Sequence, residues 1–319
     1  MPRIVLLCGN GLSIDFSRRF RSSLDPSSPL TWPVPHPDAG LLVDALPRFR
    51  AWRDKSLASE SSHFRAIATF TARSKGTTGP FDWDEFDVHS ELRHFLALAY
   101  AWYQRQLDKE EIRRWSWHTW IGHYRQSIVG ALSLNYDLIL ERSLFWNRIP
   151  IFYPGTDGKP IFLRSALGLG IPIPLSKPHG SANFGSLMRL SPVGYPLPTH
   201  TWAGNAPLRV LRDSELPKAR DLADIVTPGE WNVFPQYLTW AQMMHRAFRQ
   251  TLRVSDTIVI VGFSFGEADR EEFEMLFSAM SHDHQVIIAD PSPSSSLLGY
   301  LETRGIKPIV WPGGPSELK

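Results

Sequence analysis

The chain has 319 residues, of which 43% are hydrophobic and 21% are charged, and its formal net charge is +2. This composition is typical of a soluble globular protein, and the small net charge gives no overall field for nucleic acid or a membrane surface. The single cysteine, Cys8, excludes an internal disulfide and a multi-cysteine metal site. No apolar run approaches the ~20 residues that span a bilayer. We therefore expect a soluble, cytoplasmic protein.

Apolar runs rich in β-branched residues alternate with helical patterns, most clearly in the C-terminal third of the chain. This alternation predicts an α/β protein with a Rossmann-like, doubly wound parallel sheet. A further, proline-broken apolar run covers 171–178. Six strands are predicted, at 3–8, 127–134, 149–153, 257–261, 285–289 and 307–310.

Helical patterns fill most of the chain between these strands. Over 41–126 the pattern is helical throughout, with apolar side chains on one face at helical spacing, as at Leu92, Phe95 and Leu96. We predict a sheet domain formed by 1–40 and 127–319, with a helical subdomain inserted over 41–126. The Pro-rich segments 24–40 and 186–235 are predicted to be irregular. Further helices are predicted at 137–146, 236–253, 269–280 and 294–303.

A glycine motif, Cys8-Gly9-Asn10-Gly11-Leu12-Ser13, directly follows the first predicted strand. Gly9 and Gly11 allow the backbone to approach a ligand closely, and the helix start after them supplies N–H groups for a phosphate. The third glycine of the dehydrogenase fingerprint is replaced by Ile14, and its acidic residue about 20 positions on is missing. The motif is compatible with nucleotide binding or with a plain structural turn, but it does not indicate a dehydrogenase.

Polar residues also follow the second predicted strand and the proline-broken run. Asn135 and Asp137 come after the strand, where either could simply cap the next helix. His179 could reach a bound ligand and exchange a proton near neutral pH, or it could be structural. Lys177 and Asn183 beside it could be framework. Because residues beyond the carboxyl ends of parallel strands converge on one crevice, these motifs predict a single site.

The segment Gly262-Phe263-Ser264-Phe265-Gly266 matches the nucleophile elbow of α/β-hydrolases. That fold needs an acid and then a histidine downstream of the serine. The only histidines after the motif, His282 and His284, precede the strand 285–289 and therefore lie at the opposite edge of the sheet. We therefore reject the hydrolase interpretation. Asp290, which ends that strand, is either a ligand contact or a turn residue.

In this order and context, the four motifs resemble those of the sirtuin-like NAD-binding family, over roughly 1–22, 127–185 and 255–311. Gly-Asn-Gly-Leu-Ser is similar to the family's Gly-Ala-Gly-x-Ser loop. The resemblance implies that Asn135 contacts the nicotinamide ribose and the attacking water, and that His179 is the catalytic base. It implies contacts with the rest of NAD+ from Gly9, Asn10, Gly11, Ser13, Asp137, Gly262, Ser264 and Asp290.

The chain departs from the deacylating sirtuins, which carry a zinc module built on four cysteines. One cysteine cannot supply that module, so we expect no zinc, and a protein deacylase is only the third interpretation. The chain looks more like zinc-less bacterial relatives, many of which consume NAD+ in antiphage defence. The resemblance implies a glycohydrolase with NAD+ as its substrate, which releases nicotinamide and ADP-ribose. The alternative is a non-catalytic NAD or ADP-ribose sensor. A protein partner or a homo-oligomer is expected.

Overall fold

The computed structural model describes residues 1–20, 22–36, 40–73, 83–107, 109–156, 171–186, 208–218, 224–228, 239–266 and 270–317. Most of the segment predicted to be irregular over 186–235 therefore lies outside the described residues. The same holds for the first residues of two predicted helices, 236–238 and Asp269. No helix in these ranges has the length and apolar character needed to cross a membrane.

A seven-stranded parallel sheet forms the centre of the protein. The strands described are β1 (Ile4–Cys8), β2 (Ile128–Ser133), β3 (Ile151–Phe152), β4 (Ile173–Ser176), β5 (Phe184–Ser186), β6 (Leu208–Val210), β7 (Thr257–Val261), β8 (Gln285–Ala289) and β9 (Ile309–Val310). Their order across the sheet is β3-β4-β2-β1-β7-β8-β9, and every neighbouring pair is parallel. The remaining two, β5 and β6, form a separate antiparallel pair. The predicted fold class is confirmed, and the proline-broken run supplies the seventh strand, β4.

Helices connect and cover these strands. Those described are α1 (Gly11–Phe20), α2 (Pro47–Leu57), α3 (His63–Arg73), α4 (Trp83–Gln106), α5 (Lys109–Arg113), α6 (Ser116–His123), α7 (Ile139–Trp146), α8 (Thr239–Arg253), α9 (Arg270–Phe277) and α10 (Ser295–Thr303). The insert between β1 and β2 is helical as predicted, with α2 to α6 inside it. Its buried side chains belong to the same apolar cluster as residues of β1, so the insert and the sheet share a core. The domain boundaries remain a prediction.

The central strand β1 is buried on both faces, which explains why its sequence is apolar throughout instead of alternating. Ile4 and Leu6 pack in the cluster that includes side chains of α1, α4 and α7. Val5 and Leu7 pack in the cluster formed with α8, α9 and α10. Helices therefore cover both faces of the sheet, which makes the fold doubly wound.

The strand order reverses beside β1, and this reversal positions the site. After β1 the chain continues to β2 on one side, and it later returns to place β7 on the other side. Open α/β sheets bind their ligands at such a switch point, beyond the carboxyl ends of the strands. Because β1 ends at Cys8 and β7 ends at Val261, the first and fourth motifs lie on either side of this point.

Candidate active site

The two glycine loops are in direct contact at the switch point. The N–H of Gly9 donates to the carbonyl oxygen of Val261, and the N–H of Gly11 donates to that of Gly262. Both N···O distances are 2.9 Å. A Cβ atom on Gly11 would lie 2.4 Å from the Cα atom of Gly262. The close approach that Gly9 and Gly11 permit is therefore one between two protein loops. Their N–H groups join β1 to β7 in this arrangement.

We expect Gly11→Ala to destabilise the fold as well as to weaken NAD+ binding, because its Cβ would collide with backbone atoms of Gly262. Overpacking of this kind typically costs about 1–3 kcal/mol. Thermal unfolding and calorimetric titration with NAD+ measure the two effects. Gly299→Ala is the matched control, because the space around Gly299 is open and alanine favours its helix. An unchanged melting temperature for Gly11→Ala would contradict the expected clash.

The amide of Asn135 is held by the first motif. Its Nδ2 donates to the carbonyl oxygen of Gly9 (2.9 Å) and to Oγ of Ser13 (3.0 Å). A backbone carbonyl can only accept, so the amide atom that faces Gly9 must be the nitrogen. Both N–H groups of the Asn135 amide are therefore engaged in hydrogen bonds. The Oδ1 atom of Asn135 takes no part in these bonds and is the atom with which this side chain can accept a hydrogen bond from a ligand or water.

Asp137 holds Ser13, the residue that accepts from the Asn135 amide. Oγ of Ser13 donates to Oδ2 of Asp137 (2.5 Å), and the backbone N–H of Ile139 donates to Oδ1 (3.0 Å). Asp137 therefore accepts from the first N–H of α7 and at the same time orients Ser13, which in turn accepts from Asn135. Its side chain is almost completely buried. Its predicted contact with NAD+ remains a prediction.

A second buried network ties the strand β4 to α7. Nζ of Lys177 donates to the carbonyl oxygen of Asp137 (2.5 Å) and to Oε1 of Glu141 (2.7 Å). The hydroxyl of Tyr153 donates to the same Glu141 oxygen (3.0 Å), and Nδ2 of Asn183 donates to that hydroxyl (3.2 Å). Burial raises the pKa of the Glu141 carboxyl, and Lys177 opposes this rise. Lys177 and Asn183 have structural partners here, consistent with the framework interpretation.

The loops that carry Asn135 and His179 are joined by hydrogen bonds to backbone carbonyl oxygens. The N–H of Ala182 donates to the carbonyl oxygen of Tyr136 (2.7 Å). The hydroxyl of Tyr136 donates to the carbonyl oxygen of Val226 (2.8 Å), whose N–H donates to the carbonyl oxygen of His179 (2.9 Å). The second and third motifs therefore lie in adjoining loops at the same edge of the sheet, as their positions after parallel strands predict.

His179 has an acidic partner that the sequence did not indicate. Its Nε2 lies 2.6 Å from Oε2 of Glu272, and Nε2 of His245 lies 2.6 Å from Oε1 of the same carboxylate. Glu272 is fully buried. Burial by itself would raise the pKa of the Glu272 carboxyl, but the two imidazoles lower it to about 2. Glu272 is therefore ionised at neutral pH.

This low pKa predicts a loss of stability in acid. An unfolded glutamate titrates near pH 4.5 and folded Glu272 near pH 2, so the stabilisation is complete above pH 4.5 and is lost as the pH falls towards 2. Between pH 6 and pH 3 we expect the protonation of Glu272 to lower the free energy of unfolding by about 2 kcal/mol. Urea unfolding at both pH values measures it, with Glu272→Gln as the reference. The exposed Asp256 carboxyl, whose pKa its hydrogen bonds with Arg3 also lower to about 2, is common to both proteins and cancels. Equal losses in the two proteins would contradict the prediction.

The fourth motif lacks the backbone geometry of a nucleophile elbow. The nucleophile of an elbow occupies a strained turn. Among the described residues, positive φ angles outside glycine occur only at Arg148 and Phe265, so Ser264 is not strained. Phe265 (φ 48°) is buried against aromatic side chains of α9 and α10, including Phe273, while Ser264 is exposed. The structure agrees with rejecting the hydrolase interpretation.

Asn10 and Asp290 each make a local contact. Nδ2 of Asn10 donates to the carbonyl oxygen of Pro26 (3.3 Å), which ties the first motif to the Pro-rich segment after α1. Oδ1 of Asp290 accepts from the N–H of Ser292 (2.8 Å), a turn that follows β8. Both residues remain candidates for contact with NAD+. The part of the chain that the structure describes contains no cluster of three or more His, Cys, Asp or Glu side chains that could hold a metal ion.

The fold and the site define a doubly wound α/β protein with a polar site at the carboxyl ends of its central strands. No family model matches the sequence, and no curated protein does. A mutant Sir2 homologue bound to 2′-O-acetyl ADP ribose is 12% identical, with a TM-score of 0.38 over 99% of this chain and 88% of that chain. A structure described as the basis for the mechanism and regulation of Sir2 enzymes is 12% identical, with a TM-score of 0.38 over 99% and 89%. These similarities are too low to indicate a function. The assignment of the fold depends on the strand order of the sheet.

Proposed function

We propose that this protein is a cytoplasmic NAD+ glycohydrolase that releases nicotinamide and ADP-ribose. The observation that carries the proposal is the fixed amide of Asn135, whose nitrogen is held by Gly9 and Ser13 and whose Oδ1 is left to accept a hydrogen bond. His179 lies in the adjoining loop. Dinucleotides commonly bind at the switch point of doubly wound sheets, which supports NAD+ as the substrate.

The chemistry requires a held ribose, an oriented water and a base. The bond between the ribose and nicotinamide breaks with its electron pair going to nicotinamide, which leaves as a neutral molecule. The water oxygen forms the new bond to the anomeric carbon, and one water proton passes to His179 and then to solvent. Asn135 would accept a hydrogen bond from that water through Oδ1. Holding these groups in place supplies much of the rate, because the entropic cost of bringing the ribose, the water and the base together in solution has already been met.

The direct test is to incubate the purified protein with NAD+ and to measure free nicotinamide by chromatography. The Asn135→Ala/His179→Ala double variant, purified in the same way, serves as the blank for contaminating enzymes. We expect release by the wild-type protein and none above background by the blank. Equal release by both preparations would refute the proposal, and so would NAD+ binding without any release.

Ser264 separates the glycohydrolase from a serine hydrolase. We expect Ser264→Ala to weaken NAD+ binding modestly and to leave nicotinamide release measurable, because the serine has no role in the chemistry. A serine-directed phosphonate probe should leave Ser264 unlabelled. Labelling of Ser264 together with loss of activity in Ser264→Ala would overturn the assignment in favour of the elbow-type hydrolase.

A non-catalytic sensor of NAD or ADP-ribose is the second candidate, and burial of the site favours it. Only 6% of Asn135 and 5% of His179 are exposed, and a binding role needs no attacking water beside these two side chains. Such a sensor would act through a protein partner or through a second copy of the chain. Calorimetric NAD+ binding with no nicotinamide release, alone or in the presence of a co-purifying partner, would favour the sensor.

We further propose that the glycohydrolase serves as an NAD+-depleting effector in antiphage defence. This step rests on the motif resemblance to zinc-less bacterial relatives. Induced expression should lower cellular NAD+ in infected cells, and the Asn135→Ala/His179→Ala variant should not. Equal NAD+ levels with the two proteins after infection would remove the defence role without touching the proposed reaction.

A further inference from the structure

The imidazole of His179 shares one carboxylate with a second buried imidazole. His179 follows β4, His245 lies on α8 and Glu272 lies on α9, so three separate segments meet. Each oxygen of Glu272 takes one Nε2 atom at 2.6 Å. All three side chains are buried, and Glu272 has no exposed surface, so water does not compete for these hydrogen bonds.

The charge of Glu272 decides which ring nitrogens carry protons. The carboxyl is ionised at neutral pH because the two imidazoles outweigh the effect of burial on its pKa. An ionised carboxylate can only accept hydrogen bonds, so each Nε2 must be the donor. A neutral imidazole carries one N–H, and in His179 that N–H is consequently at Nε2. The lone pair that can accept a proton is then on Nδ1.

We infer that Glu272 is a positioning residue that holds His179 in the Nε2–H tautomer, so that Nδ1 is the atom that accepts the proton of the attacking water. After that transfer the imidazolium lies against the Glu272 carboxylate, which stabilises its charge. His245 satisfies the second carboxylate oxygen, which would otherwise be buried without this donor. The catalytic part of this inference rests on the proposed function, whereas the tautomer does not.

Side-chain ¹⁵N NMR on the full-length labelled protein reads the tautomer directly, because protonated and unprotonated ring nitrogens have separate chemical shifts. The His179 signals are identified by their loss in His179→Ala. At a pH where His179 is neutral, we expect its proton on Nε2 and the Nδ1 atom unprotonated. A His179 ring with its proton on Nδ1 would overturn the inference, whether or not the protein releases nicotinamide.

Glu272→Gln tests whether the carboxylate sets the tautomer. Glutamine has a similar shape but one accepting and one donating arm, so it can accept from only one of the two Nε2 atoms. We therefore expect one of the two histidines to move its proton to Nδ1. Unchanged tautomers in a folded Glu272→Gln protein would overturn the inference. The exposed neighbour variant Glu271→Gln, on the same helix, should leave both tautomers as they are.

Kinetics complete the test where the wild-type protein is active. Suppose that His179 is the histidine whose ring proton moves to Nδ1 in Glu272→Gln. We then expect kcat to fall at least about tenfold with little change in KM, because a base in the wrong tautomer affects the chemical step. A shifted His179 with an unchanged kcat would overturn the inference. A wild-type protein that releases no nicotinamide would instead refute the proposed function, and the NMR result would still decide the tautomer.

Discussion

Replacing Lys177 with methionine is expected to cost about 3–5 kcal/mol of folding free energy, because it leaves the Glu141 carboxylate buried without its cation. The Lys177 side chain is fully buried, and only 2% of the Glu141 side chain is exposed. The backbone carbonyl of Asp137 would lose a donor as well. In the wild-type protein Lys177 opposes the effect of burial on the pKa of Glu141, so in the variant that pKa should rise further. A raised pKa stabilises the folded state below that pKa, so the cost should grow as the pH increases.

Urea unfolding of three variants measures this prediction. Lys218→Met is the matched control, because Lys218 is exposed, and we expect it to change the free energy of unfolding by less than about 0.5 kcal/mol. In Lys177→Met/Glu141→Gln the buried charge is gone, so part of the loss should be recovered. A Lys177→Met protein as stable as the control would show that the buried pair contributes nothing to folding.

The sheet and the meeting of the motifs at its carboxyl edge could be predicted from the sequence because both depend on local patterns. Apolar β-branched runs marked the strands, and polar motifs marked their carboxyl ends. The proline-broken run over 171–178 was harder, since proline removes a backbone donor, yet the structure places β4 within it. The helix predicted from Asp137 begins instead at Ile139, and the Asp137 side chain accepts a hydrogen bond from the N–H of that residue.

The partners of His179 could not be predicted because they come from distant segments. Glu272 is 93 residues from His179 and His245 is 27 residues from Glu272. One signal was available in the sequence. His245 falls on the apolar face of α8, next to Met244 and one turn before Phe248, and Glu272 falls beside Phe273 on the buried face of α9. Ionisable residues on the apolar face of a helix need partners, but only the fold shows which ones.

The largest effects are expected at Asn135 and His179. His179→Ala removes the proposed base, and such a loss typically lowers the rate by about 10²–10⁴-fold. Asn135→Ala removes the amide proposed to orient the water and should cost a comparable factor. Nicotinamide release at saturating NAD+ measures both. His282→Ala removes an exposed histidine and should leave the rate unchanged. Full cleavage of NAD+ by His179→Ala would remove the histidine from the mechanism and favour a binding role.

Ser13→Ala tests whether the orientation of Asn135 matters as well as its presence. This variant removes one of the two acceptors of the Asn135 amide and leaves the carbonyl oxygen of Gly9 in place. We expect a rate between those of the wild type and Asn135→Ala, because the amide is retained but held less firmly. If Asn135 and His179 act on the same water, the double variant should be about as slow as the slower single variant, since residues that act as a unit are not additive. Independent, multiplying losses would indicate that the two residues serve different steps.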